Sequence, residues 1–235
     1  MKRFFIFAMF LWTGIMGVNA QEDRCDVNGD GVVNIADVTY VIDHVLGKGH
    51  ASTPQAIDLG LPSGTKWANM NVGSTNPEEY GGYYAWGEIE EKDYYDWSTY
   101  IHCDGSDDTC YDLGEDISGT EYDVAHVKWG GDWRMPTQEE FKELFDNCTS
   151  EWTTLNGVDG WKFASNINGN SIFLPAAGCR WHGDLNSAGS YGFYWSSTLN
   201  VGIPSSACLL LFHSTHAFCD SWNYRYNGLS VRPVR

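Results

Sequence analysis

An α+β domain, mostly antiparallel β with one or two helices, is the fold class the sequence predicts, preceded by a small N-terminal loop–helix unit. Three observations predict it. Strand-sized apolar runs recur between Gly, Asn, Asp and Ser clusters from residue 57 to the end. One stretch carries a helix start signal with an amphipathic stripe. Near the N-terminus, an Asp- and Gly-rich loop leads into a second apolar stripe of helical period. Strands are expected at 57–61, 66–72, 83–86, 161–164, 172–174, 194–199, 207–212 and 229–234. Residues 88–123 lack regular spacing and read as a long irregular loop. Thr137, with Glu140 three positions on, forms a capping box, and Phe141, Leu144 and Phe145 supply the apolar stripe of the helix that follows.

The chain opens on Met1-Lys2-Arg3, then an apolar run over 4–17 without an ionisable group, then Val18-Asn19-Ala20. A basic start, a short apolar stretch and compact residues before a cleavage point describe a secretory signal, expected to be removed after Ala20. The run is too short to span a bilayer, so no transmembrane anchor is expected. Export places all seven cysteines in an oxidising compartment. Among them, Cys103 and Cys110 sit in one Asp- and Gly-rich loop that a short bridge would restrain. There is no C-x-x-C, which removes support for a zinc ribbon or a thioredoxin-like site.

With 14 basic and 31 acidic residues the formal charge is −17, and removal of residues 1–20 makes it −19. No basic cluster exists, so nucleic acid is excluded as a partner, and the sign opposes docking on an anionic membrane. Hydrophobic residues at 43% and aromatics at 15% suffice for a sizeable core, which excludes disorder along the whole chain.

The most specific local pattern runs from Asp26 to Asp37. Calcium takes six to eight hard oxygen ligands, which a twelve-residue loop supplies from alternating positions. Asp26, Asn28 and Asp30 fall at positions 1, 3 and 5, with Gly31 at the sharp turn. The Val32 carbonyl falls at 7, Asn34 at 9 and Asp37 at 12. Val38, Val41, Ile42, Val45 and Leu46 then form one helical stripe, ended by Gly47. Residues 21–25 are too few for an entering helix, so the unit is loop then helix. In this form it resembles one repeat of a type I dockerin, over about residues 25–47. The resemblance implies bound Ca2+ and a cohesin-like partner, and it accommodates Asp at the closing position. A dockerin normally pairs two such repeats, and no second DxNxDG loop occurs here. The lone stripe is expected to lean on the main domain or on another chain.

The organisation expected is therefore a signal peptide over 1–20, the dockerin-like calcium-binding repeat over 21–48, a polar linker over 49–56, and one domain over 57–235. Within that domain a series of motifs follows in order: DLGLPSGTKWANMNVG at 58–73, EEYGGYYAWGE at 78–88 and YDWSTY at 95–100. WGGDWRMPTQEEFKEL at 129–144, SIFLPAAGCR at 171–180, GFYWSST at 192–198 and GLSVRPV at 228–234 complete it. Together they closely resemble the Fibrobacter succinogenes major paralogous domain of exported bacterial proteins. That resemblance implies a C-type-lectin-like or formylglycine-generating-enzyme-like fold, and no assigned chemistry.

No nucleophile elbow, phosphate-binding loop or zinc-protease helix is present. Glu88, Glu90, Asp132 and Asp220 are carboxylates from which a glycosidase pair could be drawn, but spacing singles out no two of them. His213 and His216 lack a third ligand at motif spacing, and read as polar loop or strand residues. No catalytic residue is assigned. Aromatics in or beside Gly- and Asn-rich loops point instead to binding, because a ring face with a polar rim stacks on sugars or extended peptides without needing charge. Trp181, Tyr191, Trp222 and Tyr224 are the candidate ligand-binding residues, for a glycan or a surface protein. Arg134, Arg180, Arg232 and Arg235 are expected to pair within the fold. The function expected is a secreted or cell-surface, non-enzymatic binding module. The alternative is an enzyme or accessory subunit of polysaccharide degradation recruited through the dockerin-like repeat.

Overall fold

The computed structural model describes residue 38 and residues 53–235. The chain divides into two units, Met1–His50 and Ala51–Arg235. In the first, Val38 is helical; the signal sequence, the loop and the rest of the stripe lie outside the described residues.

The second unit holds ten strands: β1 (Ala56–Asp58), β2 (Lys66–Ala68), β3 (Cys148–Leu155), β4 (Val158–Ser165), β5 (Ser171–Pro175), β6 (Cys179–Trp181), β7 (Asp184–Asn186), β8 (Tyr191–Leu199), β9 (Ser206–His213) and β10 (His216–Tyr224). They form two three-stranded sheets, ordered β3-β4-β5 and β10-β9-β8, and two small pairs, β1-β2 and β6-β7. Every strand pairing is antiparallel. Among the described residues of this unit, helix is confined to α1 (Val124–Trp129), α2 (Gln138–Asn147) and one 3-10 turn at Asp107–Thr109.

This corrects the α+β class and the C-type-lectin-like or formylglycine-generating-enzyme-like domain expected from the sequence. Two helices of six and ten residues beside ten antiparallel strands make the described fold mostly β. The physical reason lies in segments with little apolar periodicity. The polar CTSEWTTL of β3 becomes a strand because it pairs with β4 along all eight residues.

The sheet of β8, β9 and β10 is the centre of the unit. Side chains alternate across a strand, and in the middle of the sheet both faces are covered. Tyr194, Leu210 and Phe212 enter one core with Phe163 and Leu174 of the other sheet and Phe141 and Leu144 of α2. Trp195, Leu209 and Ala207 enter a second core with Trp86, Ile117, Val124, Met135 and Val231. Burial on both faces explains the continuous apolar run from Ala207 to Phe212 in β9 (SACLLLFH). Gly192 belongs to the same geometry, since a Cβ there would collide with the Phe212 ring.

Local chemistry sets the helices. Thr137 caps α2 by accepting the Glu140 N–H, and the Glu140 carboxylate accepts the Thr137 N–H in return. Asp123 caps α1; it accepts N–H bonds from Ala125 and His126 and also from Gly119 and Met135. With six residues, α1 is too short to announce itself by period.

Of the four cations expected to pair within the fold, Arg134 and Arg232 do so, whereas Arg180 and the exposed Arg235 contact rings. Arg134 grips Glu140 bidentately at 2.6 and 2.7 Å. Arg180 and Arg235 lie over the Tyr83 and Trp133 rings. Arg232 is fully buried and, among the described residues, meets no carboxylate: its Nε donates to Asn71 Oδ1 at 2.8 Å, Nη1 to the Ala68 carbonyl at 3.0 Å and Nη2 to the Phe173 carbonyl at 2.8 Å. Burial pulls its pKa down to about 10, still high enough to keep the charge at neutral pH.

Arg232→Met should cost about 3 kcal/mol, because the acceptors it leaves stay buried without a donor. Denaturant unfolding measures this, and a loss below 1 kcal/mol would show the network to be dispensable. A second expectation concerns pH. Burial would raise the Glu140 pKa, but the Arg134 guanidinium and the Thr137 N–H outweigh it and hold the carboxyl below its ordinary 4.5. A depressed folded pKa gives stability that is present above 4.5 and is lost as pH falls through the lower folded value. Glu140→Gln should therefore flatten the acid limb of a stability–pH curve; an unchanged limb would contradict the pairing.

Candidate functional site

The structure gathers three of the four predicted ligand-binding residues and separates the fourth. The gathering begins with two local devices. On β10, a bulge lies between Phe218 and Ser221. An extra residue reverses which face the following side chains occupy. Phe218 stands opposite Leu211, on the side of the second core, whereas Trp222 stands opposite Cys208, on the other. The second device is the β6–β7 hairpin, closed by the Trp181–Asp184 pair around His182 and Gly183, with His182 at φ 53°. Backbone bonds at 3.0 and 2.9 Å between Tyr95 and His182 tie this turn to the irregular segment.

The result is a ridge of rings. Tyr224 stacks on Tyr226 at 5.7 Å and 15°, and Trp222 meets Tyr224 edge-on at 6.3 Å. Trp97 packs edge-on against both tyrosines, 5.6 Å from Tyr224 and 4.7 Å from Tyr226. The Trp181 indole N–H is directed at the Tyr226 hydroxyl, and that bond opposes the rise in the Tyr226 pKa caused by burial. Trp181 and Trp222 each keep 49% of their surface exposed. Beneath them Tyr83, Tyr95, Tyr100 and Cys103 form a small buried cluster that includes Tyr226. The ridge is thus a wet surface on a dry base.

Next to it, Arg180 and Gly183, the neighbours of Trp181 and His182, line an open cleft of about 490 Å³ with Glu91, Lys92 and Asp93. Its rim offers both charge signs and hydrogen-bond donors and acceptors. Tyr94 extends the aromatic surface, 5.2 Å from the His182 ring.

Tyr191 lies elsewhere. It faces His213 across β8 and β9, with rings 5.2 Å apart, in a cluster with Phe193, His216 and Phe218. His213 is five residues along β9 from Cys208, the partner of Trp222, or about 17 Å at strand spacing and on the opposite face. His213 and His216 pair across the hairpin and share the Thr215 hydroxyl. Among the described residues no group of three or more His, Cys, Asp or Glu could hold a metal ion. Glu88 is engaged by Lys92 at 2.7 Å and accepts the Ile101 N–H, and Glu90 meets Lys128 at 3.2 Å.

Trp97 and Tyr226 stand among the aromatics beside polar loops, yet their central place in the ridge had no local signal. Arg225 gave none either. It is buried, lies over the Trp86 ring at 4.8 Å and donates through Nε to the Tyr100 hydroxyl at 2.7 Å. The proposed calcium ligands Asp26, Asn28, Asp30, Val32, Asn34 and Asp37 lie outside the described residues. Their donor set, three carboxylates, two amides and a carbonyl, is all hard oxygen, and it fits calcium.

Residues 24–60 match the family model of the dockerin type I domain. No curated protein and no solved structure matches the chain. Type I dockerins bind calcium and cohesin partners and typically occur in extracellular or cell-surface proteins. No helix among the described residues is long and apolar enough to cross a membrane.

The ridge predicts different costs for its members. Trp97→Ala, which removes a ring packed on the base, should destabilise by about 3 kcal/mol. Trp222→Ala should stay within about 0.5 kcal/mol of wild type. Thermal or denaturant unfolding compares them, and equal costs would contradict the division into base and surface.

Proposed function

We propose that the chain is an exported binding module, extracellular or at the cell surface, with two working parts. The first is the dockerin-type repeat. Asp26, Asn28, Asp30, the Val32 carbonyl, Asn34 and Asp37 would hold one Ca2+. The ion supplies positive charge where Asp26, Asp30 and Asp37 would otherwise repel, and it orders the loop so that the stripe from Val38 to Leu46 can meet a cohesin-like partner. The second part is the β-rich unit over 57–235, the stretch resembling the Fibrobacter succinogenes major paralogous domain. Its aromatic ridge takes a glycan by stacking, with Arg180 and Asp93 of the neighbouring cleft available to sugar hydroxyls.

The observation that carries this reading is the dockerin match at residues 24–60, which joins the calcium pattern to a family that recruits proteins into polysaccharide-degrading assemblies. The convergence of Trp181, Trp222 and Tyr224 on one exposed ridge supports the second part. The same match favours, as a second reading, an accessory subunit or enzyme of polysaccharide degradation held in such an assembly.

Calorimetric titration of the exported protein with calcium should give one site, lost in Asp26→Ala and Asp30→Ala; equal heats in all three proteins would refute it. On a glycan array, wild type should retain at least one polysaccharide that Trp181→Ala and Trp222→Ala bind roughly tenfold or more weakly, since a stacked ring contributes about 1–2 kcal/mol. Release of reducing sugar by the purified protein would replace the non-enzymatic reading by the second.

A further inference from the structure

Within the irregular segment 88–123, Cys103 and Cys110 face one another across an isolated antiparallel bridge. The Tyr111 N–H donates to the His102 carbonyl at 2.8 Å, so the hydrogen bond flanks the cysteine pair and does not join it. A non-hydrogen-bonded antiparallel pair brings its Cα atoms to about 4.5 Å with the side chains on one face. That separation lies within the roughly 4.4–6.8 Å over which a disulfide forms. No other described cysteines are register partners: Cys148 stands opposite Ser165, Cys179 opposite Asn186 and Cys208 opposite Trp222. In the structure both members of the pair are thiols.

We propose that Cys103 and Cys110 are an oxidation site, closing to an intramolecular disulfide in the exported protein. The oxidant is a disulfide of low molecular weight or of a thiol-oxidising protein. Cys110, the more exposed of the two, attacks as thiolate and forms a mixed disulfide with release of one oxidant thiol. The Cys103 thiolate then attacks Cys110 Sγ and expels the second thiol. The protein loses two protons and two electrons, and the oxidant disulfide becomes two thiols. Burial raises the Cys110 pKa, partly offset by the Arg225 guanidinium, so closure should accelerate as pH rises.

The position gives the bond a consequence. Cys103 is part of the buried cluster that supports the ridge, and Trp97 and Cys110 pack against that cluster. The Cys103 thiol approaches the Trp97 carbonyl at 3.3 Å. Arg225 Nη1 donates to the Tyr111 carbonyl, next to Cys110, at 3.1 Å. The disulfide therefore fastens the base of the ridge.

Full-length protein equilibrated with glutathione disulfide, then denatured, alkylated and digested with trypsin, tests the proposal. Both cysteines fall in the tryptic peptide 93–128, which should carry no alkyl group and be two hydrogens lighter than its reduced form. Cys103→Ser and Cys110→Ser should each return the remaining thiol to alkylation or to a glutathione adduct. A reductant should lower the Tm of wild type by roughly 5 °C and leave that of either variant unmoved. Alkylation of both cysteines in the oxidised protein, glutathione on both, or a bond from either to a different cysteine would overturn the assignment. So would a reductant-induced fall in Tm of the same size in the variants.

Discussion

The β-rich unit is organised around one buried cation. Arg232, near the C-terminus, reaches the Ala68 carbonyl at the end of β2, the Phe173 carbonyl in β5 and the Asn71 side chain. Asn71 continues the network, its amide donating to the Tyr80 carbonyl at 2.9 Å and to the Tyr194 hydroxyl. Tyr194 on β8 donates in turn to the Pro175 carbonyl at 2.6 Å. Four stretches remote in sequence are thus held by donors that have no access to water. A buried charge without a counterion is expensive unless every donor finds an acceptor. Here all three donating groups do, and the cost becomes a strict demand on the relative positions of the two larger sheets and the C-terminal segment.

The two-sided central sheet follows from that arrangement. With the C-terminal segment drawn across by Arg232, its neighbours Leu229 and Val231 cover one face while the β3-β4-β5 sheet and α2 cover the other. β10, at one edge, leaves side chains to solvent in an alternating pattern along all nine residues, and β8, at the other, exposes Tyr191. The wet aromatic surface is therefore where the architecture runs out of partners. The bulge in β10 then decides which end of that strand supplies the ridge and which end joins the histidine cluster. Arg225 and Arg232 are buried in the fold, whereas Lys66, Lys142 and Lys162 stay at the surface beside carboxylates.

Much of the β-rich unit was legible in the chain. Apolar runs bounded by turn formers marked β1, β2, β4, β5, β8 and β9, and the capping box at Thr137 and Glu140 marked α2. Less legible were segments whose structure depends on a partner. β3 is polar and extended because β4 pairs with it. The runs at 83–86 and 229–234 behave as expected strands only in part, since each makes isolated bridges: Tyr84 with Leu229, Ser230 with Tyr194, and Val234 with Trp67 and Arg134. The α+β expectation failed for the same reason, because pairing converts weakly patterned stretches to β and no local signal counts those strands in advance.

The sequence by itself determined the properties that reside in short stretches: the spacing of oxygen donors from Asp26 to Asp37, the cap and stripe of α2, and the acidic charge that turns nucleic acid away. These depend on residues a few positions apart, whose geometry the backbone period sets. Only the tertiary structure decided which aromatics share a surface. Trp97, Trp181 and Trp222 lie in three segments far apart along the chain, and a bulge of one residue chooses the face on which Trp222 emerges. It also decided that Arg232 would meet carbonyls and Arg134 a carboxylate, because the burial of a charge and the identity of its partners are set by how distant segments pack.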